Sequence, residues 1–226
     1  MLTIDFEDCL SKLENDFRQK SENYFFTEKE LHSYFYSLCL QNKNFHCDGM
    51  NLVHTEYPTP FKSSFLKEYP YLKIADTHSK AMRSHIDLVL INPDFIRWTK
   101  GKKYRFDLIK GITNKLYPTY ITEFINAYNE FVNETSEQIL TYAVEFKYLR
   151  NQYEGSKYPI AAIKQDIEKL KNLKSFRLDF MSTNLSFVKK TMSYVFIEDN
   201  RKSMYDEILS DFYFNNNLSL FKIVKR

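Results

Sequence analysis

The sequence predicts an α/β fold, a mixed β-sheet flanked by helices, in a single domain spanning 1–226. Three observations carry that reading. Apolar stripes at helical spacing run through 4–20, 27–42, 118–136 and 159–174. Short alternating or wholly apolar runs at 51–57, 85–91, 140–148, 192–197 and 219–224 read as strands. The two kinds of segment are interleaved along the chain, as in folds whose helices cover a sheet. With 226 residues and 43% apolar side chains, the chain has the length of one domain and enough apolar material for a core.

Each element has a local reason. Phe6, Leu10, Leu13 and Phe17 recur at spacings of three and four, which makes 4–20 an amphipathic helix. Thr27 followed three residues later by Glu30 is a capping box opening the next helix, whose stripe is Leu31, Tyr34, Phe35 and Leu38. NLVHTEY (51–57) alternates and ends at Pro58, and HIDLVLI (85–91) ends at the Asn92-Pro93 turn signal. Residues 93–139 interrupt the strands with the basic stretch WTKGKKYR and a helix over 118–136 that carries Ile121, Phe124, Ile125, Tyr128, Phe131 and Val132. LTYAVEFKY (140–148) is the third strand. Pro159 suits the first turn of a helix with the stripe Ile160, Ile163, Ile167, Leu170 and Leu173. Strands at 176–181 and 192–197, a helix at 203–212 and a strand at 219–224 complete the chain.

Composition excludes several functions. No apolar run approaches the roughly 20 residues of a membrane span. The acidic N-terminus MLTIDFEDCL does not resemble a secretory signal. The four glycines, Gly49, Gly101, Gly111 and Gly155, stand too far apart for a phosphate-binding loop, so no nucleotide cofactor is expected. Cys9, Cys39 and Cys47 are odd in number and lack metal-site spacing. Cys9 and Cys39, inside apolar helical patterns, read as small core residues, and a reducing, cytoplasmic location is the expectation. The net charge of +3 is the sum of alternating blocks: −5 over 1–61, +7 over 62–115, −5 over 116–145, +6 over 146–190 and 0 thereafter. Two basic blocks flanking an acidic helix fit either a polyanion partner or an ordinary solvated surface.

The chemistry lies in charged residues set inside apolar strands. Asp87 precedes Leu88-Val89-Leu90-Ile91, and Glu145 and Lys147 interrupt ILTYAVEFKYL. Side chains alternate along a strand, so Glu145 and Lys147 share a face, about 6.6 Å apart. Charges buried there are costly unless paired or coordinating an ion. An Asp–Lys or Glu–Lys ion pair is the plain alternative. Glu28, three residues before Leu31 and seven before Phe35, lies on the core-facing stripe of its helix and can reach the sheet; a carboxylate in a first helical turn is also favourable in its own right. Lys164, Lys169, Lys171 and Lys174 fall off the stripe of the later helix, as solvated lysines or as phosphate contacts.

Asp87 on one strand, Glu145-Phe146-Lys147 on the next and Glu28 on a preceding helix resemble the PD-(D/E)XK nuclease superfamily, with its restriction-endonuclease-like core. TEKEL (27–31), HIDLVLI and YAVEFKY are similar to the archaeal Holliday-junction-resolvase branch, and DIEKL (166–170) resembles the helix that follows its E-x-K strand. The likeness covers roughly 24–60, 82–92 and 140–200, within a core of about 24–92 and 140–200. It leaves a helical insertion at 93–139, between the second and third core strands, and a C-terminal helix-strand extension at 203–226. Ile86 stands where the superfamily has Pro, and 57 residues separate Asp87 from Glu145. That gap leaves Asp94 and Asp107 as rival aspartates.

The resemblance implies a nuclease that hydrolyses DNA phosphodiesters with Mg²⁺ or Mn²⁺. Asp87, Glu145 and the Phe146 carbonyl would hold the metal, Lys147 would orient or deprotonate the attacking water, and Glu28 would hold a metal-bound water or second ion. It also implies a homodimer, for which the apolar helix at 118–136 offers a surface. Lys100, Lys102, Lys103 and Arg105, interleaved with Trp98, Tyr104 and Phe106, suit nucleic-acid contact or form a plain basic hairpin, and Lys164 joins the candidate phosphate contacts. His85 shares Asp87's face, and Glu56 would add a carboxylate from the first strand. A DNA-binding or scaffold protein that keeps the fold without catalysis is the alternative.

Overall fold

Helix α1 (Leu2–Gln19) buries the four residues its spacing selects, Phe6, Leu10, Leu13 and Phe17. The computed structural model describes residues 2–20, 24–62, 83–102, 117–149, 158–175, 186–198 and 219–224. Helix α2 (Glu28–Leu40) starts at the expected capping box: the Glu30 amide donates to Thr27 Oγ1 at 3.3 Å and the Thr27 amide donates to Glu30 Oε2 at 3.0 Å. A short 3-10 turn at Lys43–Phe45 leads into a two-stranded hairpin, β1 (His46–Cys47) and β2 (Met50–Asn51). Asp48 and Gly49 at its tip have φ of 52° and 81°, the left-handed pair that suits a tight hairpin. That hairpin was not anticipated, although the Asp-Gly dipeptide marks it.

The main sheet contains β3 (Val53–Lys62), β4 (Arg83–Ile91), β5 (Leu140–Leu149), β6 (Val188–Ile197) and β7 (Ser219–Val224), side by side in chain order. The first three strands are antiparallel; β6 and β7 run parallel to β5. The sheet is therefore mixed, as expected. Strand β3 does not end at Pro58 but continues to Lys62, with a register shift between the two. An edge strand tolerates proline because the missing N–H can face away from the ladder. The chain crosses from β5 to the parallel β6 through α5 (Tyr158–Lys174), with Pro159 in its first turn.

Helices α1 and α2 cover one face of the sheet. Phe6 stacks on Tyr142 at 4.7 Å and meets Phe35 edge-on at 5.5 Å, and Phe17 meets Phe196 at 5.0 Å. Helix α5 reaches Glu145 and Lys147, the residues of β5 that alternate with Phe146. Between β4 and β5, Asn92 caps α3 (Pro93–Gly101), accepting from the Asp94 amide at 3.0 Å. The basic stretch thus begins on a helix rather than a hairpin. Helix α4 (Tyr117–Thr135) follows, and its C-terminal half buries Tyr128 and Phe131 against Phe187, Phe95 and Trp98. That part of its apolar face is used within the chain, which removes it as a surface for a second copy. The expected strand at 176–181 and helix at 203–212 lie outside the described residues.

Phe6 belongs to the core that ties α1 to the sheet, whereas Ile4 on the same helix is 62% exposed. Phe6→Ala is expected to cost about 3–5 kcal/mol by urea denaturation. Ile4→Ala should stay within about 0.5 kcal/mol. Equal effects would contradict this placement of α1.

Candidate functional site

The ladder between β4 and β5 runs out at the pair Leu88–Val144. Asp87 and Glu145 come next on their strands. With the main chains no longer paired there, the Phe146 amide donates to Asp87 Oδ2 at 2.8 Å, so a carboxylate replaces a backbone acceptor. Both helical layers reach this end of the sheet. Lys147 Nζ stands 3.2 Å from Glu28 Oε1, at the start of α2, and 2.9 Å from Asp166 Oδ2 on α5. The structure thus brings together the four residues Glu28, Asp87, Glu145 and Lys147, drawn from three elements. Phe146 contributes its amide, while its ring lies buried beside His32 and Phe35.

Three further residues belong here. Lys169 Nζ lies 2.6 Å from Glu145 Oε1 and 3.5 Å from Asp166 Oδ1, and donates to the His85 carbonyl at 2.8 Å. Its side chain is only 13% exposed, so it is not the solvated lysine its position off the stripe suggested. Asp166, 12% exposed, joins Lys147 to Lys169. His32, one turn after Glu28, is 5% exposed and places Nε2 3.5 Å from Asp87 Oδ2, beyond a good hydrogen bond. One ligand atom from each of Glu28, His32 and Asp87 lies within 4.8 Å of the other two.

Glu145 is the most deeply placed of the acids, with a side chain 1% exposed. Its contact with Lys169 is close in distance but lacks hydrogen-bond geometry, so neither carboxylate oxygen has a well-formed donor. Burial, then the charge of Asp87, push the Glu145 carboxyl well above its ordinary value, and the pull of Lys169 does not offset them. Burial also raises Asp87, against the Phe146 amide and the two lysines, and raises Glu28 against Lys147. Burial lowers His32, which is therefore a neutral imidazole rather than an ion-pair partner at neutral pH. Burial would lower both lysines, but the surrounding acids outweigh it and both are raised, so both carry their charge.

The other sequence candidates fall differently. Asp94 is exposed and pairs with Arg97 at 2.8 Å; Asp107 lies outside the described residues. Lys100 pairs with Asp48 at 3.4 Å, and Lys102 with Glu130 and Glu134 at 3.0 and 2.6 Å. Trp98 donates to Glu134 and packs on Phe95 and Phe131. Lys103 and Arg105 lie outside the described residues, and Lys164 is on the exposed side of α5. Glu56 is exposed on β3, with φ of 50° at the position bracketed by the pairs Thr55–Leu88 and Tyr57–Ile86, and so beside Asp87. No helix among the described residues is long and apolar enough to cross a membrane.

The raised carboxyls set a pH dependence. A carboxyl raised in the native state keeps a proton that the unfolded chain has released, so stability falls as pH rises from the unfolded value through the folded one. For Glu145 the fall begins near 4.5, its ordinary value, and ends at its higher folded value; below both, the penalty is absent. Urea titrations in chelator should show stability declining from acid toward neutral pH. Glu145→Gln should flatten that slope, and an unchanged slope would count against Glu145 as its source.

Comparisons with protein-family models, curated proteins and solved structures returned no match to this chain.

Proposed function

We propose that the protein is a metal-dependent nuclease that hydrolyses DNA phosphodiesters. One observation carries the reading: the charge count at the end of the parted strands. Glu28, Asp87, Glu145 and Asp166 supply four negative charges when ionised, and Lys147 and Lys169 supply two positive ones, leaving −2. A divalent cation supplies that deficit. The donors fit one: Glu145 has two buried oxygens without a well-formed hydrogen bond, and His32 Nε2 lacks a partner. Oxygen-rich ligand sets suit Mg²⁺ and Mn²⁺. The element order also supports the superfamily likeness, with Glu28 on the helix before the meander, Asp87 and Glu145-Phe146-Lys147 on adjacent strands, and a helix leading to a parallel strand.

In this reading Asp87 and Glu145 hold the cation, with the Phe146 carbonyl as the backbone ligand and Glu28 and His32 beside it. The bound ion supplies Lewis-acid stabilisation of charge developing at phosphorus. Lys147 carries its proton, so its part is to orient water and neutralise the attacked phosphate rather than to act as a base. Asp166 and Glu28 hold its ammonium from two sides. DNA as substrate and a homodimeric assembly enter this reading through the superfamily likeness alone.

The Lys169–Glu145 contact favours a second reading. A lysine already faces the buried carboxylate, as it would in a protein that keeps the fold as a DNA-binding scaffold without catalysis. The deciding experiment incubates supercoiled plasmid, single-stranded DNA and a four-way junction with the protein in Mg²⁺, Mn²⁺ or chelator. The nuclease reading expects metal-dependent cutting, abolished by Glu145→Ala and reduced roughly 10²–10³-fold by Lys147→Ala. Binding without cutting in every metal would establish the scaffold reading.

A further inference from the structure

Lys169 occupies a place where a metal ion held by Glu145 would compete with it. Its ammonium stands 2.6 Å from Glu145 Oε1, the most buried carboxylate of the site. Like charges held against one oxygen in a poorly solvated site repel strongly. A lysine and a metal ion therefore cannot both keep that contact. Lys169 also has somewhere else to go, because Asp166 Oδ1 lies 3.5 Å from its ammonium on the preceding turn of the same helix. In the metal-free arrangement the ammonium also donates to the His85 carbonyl at 2.8 Å, a third contact that the exchange would loosen.

We propose that Lys169 is the resident partner of Glu145: its ammonium holds the contact with that carboxyl group while no metal is bound and transfers to Asp166 when a divalent ion arrives. The proposal rests on the metal-dependent reading above and adds a positioning residue that the superfamily motif does not contain. Two consequences follow. Metal affinity is set partly by the Lys169–Glu145 contact, since each binding event must break it. The exchange also reaches Lys147, whose ammonium is held by the same Asp166 at 2.9 Å. A second lysine drawing on Asp166 weakens that hold and frees Lys147 toward the substrate phosphate.

The test reads Lys169 directly in the full-length protein. Lysines are acetylated with an amine-reactive ester and quantified by peptide mass spectrometry, with exposed Lys12 as the internal reference. Acetylation of Lys169 should be slow in chelator and rise about tenfold at saturating Mn²⁺. It should be fast without metal in Glu145→Gln. In parallel, Mn²⁺ binding is measured by electron paramagnetic resonance on wild type, Lys169→Met and Glu145→Gln. Lys169→Met should bind Mn²⁺ about tenfold more tightly than wild type, and Glu145→Gln should bind it weakly. The wild-type labelling stands even if Lys169→Met does not fold. Mn²⁺ binding that leaves Lys169 as protected as before, or a Lys169→Met protein that binds Mn²⁺ no more tightly, overturns the proposal and leaves the nuclease reading intact. Failure of the wild type to bind Mn²⁺ at all overturns both.

Discussion

The burial of Glu145 is the constraint on which the rest of the site depends. A carboxylate 1% exposed in the middle of an apolar strand is tolerated only where opposite charge is close. One lysine reaches it from α5, and that lysine brings Asp166, which in turn holds Lys147. Lys147 reaches back to Glu28 on the opposite layer. A single unfavourable placement is thus distributed over a chain of ion pairs that joins both helical layers at the end of the sheet. Breaking one partner of such a network is costly because it leaves the other buried and unpaired.

The part of this arrangement legible in the sequence is the part that violates a pattern. Asp87, Glu145 and Lys147 stand out because they interrupt apolar strands, and Glu28 because it falls on an apolar stripe. Asp166 and Lys169 violate nothing. An acid and a lysine three apart on a helix look like an ordinary surface pair, and only the packing of α5 on β5 shows them to be enclosed. His32 is similarly unremarkable as a histidine beside a helical stripe. The strands were legible from period and composition, but the continuation of β3 past Pro58 was not, since it depends on the strand lying at the edge.

The charge blocks show a related limit. A basic run and an acidic helix can be far apart in sequence and adjacent in space. Lys102 is matched by Glu130 and Glu134 of α4, so part of the positive block is neutralised by the negative block that follows it. Summing charge along the chain therefore overstates the field such a stretch presents to a polyanion. The formal balance at the site with its acids ionised, two lysines against four acids, has the opposite sign to the whole chain.

The contact between Asp87 and the Phe146 amide bears on how much freedom the site has left to lose. The Phe146 amide and the His32 imidazole approach the same oxygen of Asp87, Oδ2. Its rotamer is fixed by the main chain where the strands part, before any ligand arrives. The conformational entropy of that side chain is lost on folding, so none of it weighs against a later binding event. For Asp87, a ligand at this end of the sheet would meet electrostatic and desolvation terms rather than a cost of ordering that side chain.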